Sequence, residues 1–92
     1  MANHECSDLK REAHEAGDLH YRTMTEFIRG DHDVTPRRAL GVAMAYRRAL
    51  QWLIDCYRRV RHGSAARVHA ETAEKYKDLV EKDIEMLEDR AV

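Results

Sequence analysis

Ninety-two residues, 43% hydrophobic and 36% charged, with one proline and four glycines, fit one folded domain of helical composition and exclude a disordered chain. The formal net charge of −1 excludes polyanion binding by bulk charge, and no apolar run approaches the roughly 18 residues of a membrane span. The stretch MANHECSDLKRE lacks the apolar core of a secretory signal, so the expectation is a cytoplasmic protein with Cys6 and Cys56 as free buried thiols, a bridge between them being the alternative.

The first element is predicted over about residues 4–29. At about 100° per residue, Cys6, Leu9, Ala13, Ala16, His20, Met24 and Phe27 share one face, while Asp18, Arg22 and Glu26 form a ladder on the other. That apolar face is thin, and Gly17 weakens its middle by up to about 1 kcal/mol. Gly30 to Val34 then reads as a loop. Gly30 suits the left-handed position after a helix, Thr35 an N-cap, Pro36 the first helical position, and Val34 a hydrophobic staple.

The second element, about residues 36–62, is the longest patterned stretch: TPRRALGVAMAYRRALQWLIDCYRRVRHG. Ala39, Val42, Ala43, Tyr46, Ala49, Leu50, Leu53, Cys56, Tyr57 and Val60 span an arc of about 140°, flanked by Trp52 and Ile54. An arc this wide suits contact with two neighbours. Arg37, Arg48 and Arg59 recur every eleven residues, about three turns, and so line up on the opposite side with Arg38, Arg47, Arg58 and Arg61 close by. Gly63 is expected to end this helix and Ser64 to cap the third, about residues 65–90. Val68, Thr72, Ala73, Tyr76, Leu79, Val80, Ile84, Met86 and Leu87 make its apolar face, and the other side is acidic. Short connections between helices of similar length predict an all-α, elongated up-down-up three-helix bundle, one domain over residues 1–92, open to self-association.

Charge is segregated by helix. Residues 1–35 carry four basic and eight acidic side chains, net −4; residues 36–63 carry seven and one, net +6; residues 64–92 carry five and eight, net −3. A basic helix between two acidic ones favours this bundle through internal complementarity, with each exposed pair contributing only about 0–1 kcal/mol.

The expected partner-binding residues are Arg37, Met44, Arg47, Arg48, Trp52, Arg58 and Arg59, because a Met and a Trp beside a row of arginines have the composition of a protein interface. The expected buried polar residues are His20, Tyr46, His69 and Asp83. Up-down-up register puts His20, Tyr46 and Asp83 at one height, where a His20–Asp83 pair would satisfy both side chains. Six histidines invite a metal reading, but none are three or four residues apart and none follows a Glu by three. His14 with Asp18 is the one fair pair, and His4, Cys6 and His69 could gather only through the tertiary fold. No phosphate loop, nucleophile elbow or Cys-x-x-Cys occurs, so no enzyme, metal or cofactor is expected.

The run Ala45 to Leu50, followed by a helical hairpin, resembles helical-repeat modules and three-helix trafficking domains that bind peptide helices. Six residues of common helical pattern carry the resemblance, and no site residue is carried over from it. The expected function is a small non-enzymatic protein–protein interaction module, an adaptor, regulator or inhibitor. It would bind a protein partner or a second copy through the central arginine-rich helix or a groove between helices. Nucleic-acid binding through the arginine stripe and a metal- or pH-responsive bundle are the alternatives; a membrane partner is not expected.

Overall fold

A computed structural model describes residues 6–60 and 63–91, with only the backbone at positions 63 and 64. Its helices are α1, Ser7–Ile28, α2, Pro36–Arg59, and α3, Gly63–Ala91. They form the three-helix bundle, measuring 46 × 19 × 17 Å.

α1 starts without a side-chain cap at Cys6, whose carbonyl accepts from the Lys10 amide at 2.8 Å. The expected start near His4 lies outside the described residues. Thr23 and Thr25 return their hydroxyls to the carbonyls of Leu19 and Tyr21, which satisfies the buried Thr23 inside the helix. The C-terminus is a Schellman motif. Gly30 sits at φ +80°, its amide donates to the Phe27 carbonyl, and the Asp31 amide donates to the Glu26 carbonyl. Asp31 then accepts the Asp33 amide on its own side chain, closing an Asx turn. Thr35 caps α2 by accepting the Arg38 amide at 3.1 Å, with Pro36 behind it and Val34 buried. These connections follow the turn chemistry read from the sequence.

The α2–α3 connection differs. α2 ends at Arg59 with Val60 as its C-cap, not at residue 62, and Gly63 opens α3 instead of closing α2. Arg61 and His62 lie outside the described residues.

α2 is the central element: α1 and α3 each pack along it, and nowhere among the described residues do the Cα traces of α1 and α3 approach within 8 Å. Small side chains allow close approach, with Ala39 and Ala43 fully buried on α2, Ala13 on α1, and Ala70 and Ala73 on α3. Ile54, Val80 and Leu87 supply bulk.

Cys6 and Cys56 are not free thiols. They form a disulfide, with Cα atoms 5.8 Å apart, that ties the start of α1 to the last turn of α2. Helical periodicity places both on the α1–α2 seam, and antiparallel register brings them level. The bridge removes the premise of free thiols on which the expectation of a reducing cytoplasm stands. No helix is long and apolar enough to cross a membrane among the described residues.

Candidate functional site

The layered arrangement leaves α2 an outer face and, opposite it, a side flanked by both α1 and α3. At about 100° per residue, Tyr46, Leu50, Leu53 and Tyr57 centre on one direction, and Arg37, Arg48 and Arg59 point roughly 180° away. The first set floors a groove between α1 and α3; the second forms the outer face.

On the outer face, Trp52 is 51% exposed and Met44 38% exposed. The expected stripe divides. Arg37, Arg48 and Arg59 are exposed and form no ion pair among the described residues, whereas Arg47 is half-buried and Arg58 pairs with Glu74 of α3. Trp52 falls on the α1 flank, about 40° round from Cys56. The acid on this face, Asp55, accepts from Gln51 at 3.0 Å. The acidic neighbours therefore meet α2 at its edge, through Arg58–Glu74, and leave the middle of the outer face unneutralised by direct contact.

The groove has a volume of about 780 Å³. All four tyrosines of the chain line it, with Leu50, Leu53, Leu79 and Val80. Here α3 departs from expectation: Val68, Thr72, Tyr76 and Leu79 are exposed, although they belong to its apolar face. The apolar arc of α3, from Val68 round to Ile84, spans about 160°. α2 covers one side of that arc, and α1 is too far away to cover the other.

At the loop end, α1 and α3 meet only through long side chains. His20 is buried, and its Nε2 lies 2.9 Å from Asp83 Oδ2. His20 Nδ1 is buried without a partner among the described residues, so a proton on Nε2 is the one that meets an acceptor, Asp83. The His20 ring packs at 5.6 Å from that of Tyr46, and the Arg90 guanidinium lies 5.8 Å over Phe27. Tyr46 lies against Gly17 so closely that an added Cβ would meet its ring at 3.0 Å. Gly17 therefore makes room for this tyrosine, a role that helix propensity alone does not reveal. Burial pushes the Tyr46 hydroxyl above its ordinary pKa, helped by neighbouring Tyr76 and Asp18, and burial does the same for Tyr57.

His69 corrects the sequence reading. It is exposed, not buried, and stacks on Tyr57 with ring centroids 5.4 Å apart. His14 sits 3.6 Å from Asp18 on the surface, and His4 lies outside the described residues. Among the described residues no three His, Cys, Asp or Glu side chains gather as a metal set.

No family model, curated protein or solved structure matches this chain.

Proposed function

We propose that this chain is a non-enzymatic protein–protein interaction module that receives an acidic protein surface on the outer face of α2. The observation that carries the reading is the exposure of Trp52 and Met44 beside Arg37, Arg48 and Arg59, which no element of the fold covers. Exposed apolar anchors of this kind, flanked by guanidinium groups, are what a partner's apolar and carboxylate groups recognise. A second copy meets the requirement, because the outer side of α3 presents Glu71, Asp78, Glu85 and Glu88.

The test combines Met44→Ala with Trp52→Ala and Arg48→Glu. The double alanine variant should keep its melting temperature within a few degrees while assembly, read by light scattering and sedimentation, is lost. Unfolding of the double variant would make these residues core and end the reading. Retardation of RNA or DNA at low salt, abolished by Arg48→Glu, would assign the face to nucleic acid instead.

A further inference from the structure

We propose that the groove between α1 and α3 docks an amphipathic helix of a partner protein, antiparallel to both and parallel to α2, completing an up-down-up-down four-helix bundle. This surface lies opposite the arginine face and is independent of it.

Geometry comes first. α1 and α3 both pack on α2 with their backbones apart, side chains such as His20 and Asp83 joining them towards one end, which is the arrangement of a four-helix layer pair with one member missing. The groove extends along α3 from His69 to Asp83, about 21 Å at 1.5 Å per residue, or four helical turns. That length and the apolar lining, with half-buried Tyr46 and Tyr57 over buried Leu50 and Leu53, suit a helix with apolar residues at i, i+3, i+4 and i+7. On the α3 rim, Tyr76 is 52% and Leu79 57% exposed, side chains that an occupant would cover.

Charge sets the direction. The disulfide end of the groove carries Lys10, Arg11, His14 and His69; Arg11 and His14 are held by Asp8 and Asp18, while Lys10 has no ion pair among the described residues. The other end carries two carboxylates that stay partly exposed, Asp83 beside His20 and Asp18 beside His14. A docked helix has a partial positive charge at its N-terminus and a negative one at its C-terminus. Placing the N-terminus beside Asp18 and Asp83 and the C-terminus beside Lys10 satisfies both ends. That orientation is parallel to α2, the direction that alternating bundle topology requires.

The probe is a labelled 18-residue synthetic helix with a leucine seam, a lysine-rich first turn and a glutamate-rich last turn, followed by fluorescence polarisation. A second peptide has the two charged turns exchanged. The wild-type chain should bind the first peptide saturably and the exchanged one several-fold more weakly. Leu79→Asp, at an exposed position, should leave the circular-dichroism melt in place and weaken binding about tenfold or more. The Met44→Ala/Trp52→Ala variant should bind as wild type, which separates this site from the outer face. Absence of saturable binding, equal binding by Leu79→Asp, or preference for the exchanged peptide would overturn the proposal. A wild-type dimer that Leu79→Asp dissociates would give the groove to a second copy and overturn it equally.

Discussion

Opening the Cys6–Cys56 bridge should cost this protein a large share of its stability. The bridge spans a sequence separation of 50 residues, and closing a loop of that length in the unfolded chain corresponds to about 4 kcal/mol in the chain-entropy account. Domains of this size are stable by about 5–15 kcal/mol, so the loss is severe without abolishing folding in every case. With a urea dependence of about 2 kcal/mol per molar, the midpoint should fall by about 2 M, and the melting temperature by about 20 °C. The loss should also be uneven. Between Cys6 and His20, Ala13 is the buried residue of α1, with Leu9 and Ala16 only partly covered. Reduction should therefore release the first half of α1 before the rest, and its amides should exchange faster while those of α3 near Val80 and Ile84 stay protected. The assay is urea unfolding of the oxidised chain, the reduced chain and a Cys6→Ser/Cys56→Ser variant, with hydrogen exchange on each. The unfolded oxidised chain should take up no thiol-alkylating reagent, and two equivalents after reduction. Equal midpoints with and without reductant, or alkylation of the unreduced chain, would refute the reasoning.

Three further outcomes are expected. Gly30→Ala should cost about 1–2 kcal/mol, because φ is +80° there, and nothing within 4 Å would clash with the added methyl, so the loss is purely backbone; Gly30→Asn should cost less, both read by chemical denaturation. Asp83→Ala should destabilise by about 1–3 kcal/mol by stranding His20 Nε2–H, whereas replacing both His20 and Asp83 by leucine should cost less than Asp83→Ala alone; a larger loss in the double variant would show that the pair is not the cause. Tyr46 and Tyr57 are raised above the ordinary 10.0, so the folded state holds these protons more tightly than the unfolded one. Their contribution is complete below about pH 10 and is lost as pH rises through the folded values, so the urea midpoint should decline only on that alkaline limb. Tyr46→Phe should flatten the decline, and an unchanged slope would contradict the burial argument.

Much of the fold was legible because its signals are local. Gly30, Thr35 and Pro36 mark a boundary by turn and cap chemistry, and the apolar periodicity of α1 and α2 matches what is buried there. The His20–Asp83 contact followed from register, since two polar groups facing a core at one height have few other partners. What periodicity could not supply is how far a face is covered. Val68, Tyr76 and Leu79 look identical to core positions in the pattern and lie exposed, because coverage depends on where the third helix sits. The same limit misplaced His69. The disulfide was missed for another reason. Register alone allows Cys6 and Cys56 at neighbouring heights, and the expected reducing compartment, a non-geometric argument, favoured free thiols over the bridge.

The disulfide and the groove have a common origin in the composition of α1. A helix that lies on another through Ala13, Ala16 and Gly17 has little bulk in its middle, and its buried larger side chains, Thr23, Met24 and His20, crowd towards the loop end. Packing alone holds such a helix weakly at its start, where the Cys6–Cys56 bond substitutes for the missing apolar contact. At the far end, His20–Asp83 and Arg90 over Phe27 join α1 to α3 through side chains long enough to span the gap. Held near both ends and slender between them, α1 comes close to α2 at buried Ala13 and at Gly17, where the Tyr46 ring fills the room, and both small residues line the groove. Widening α1 there, by Ala13→Leu for instance, would overpack the α1–α2 seam in which Ala13 is buried. Small residues in this stretch and a covalent tie beside it fit the proposed role of α1 as one wall of a docking groove.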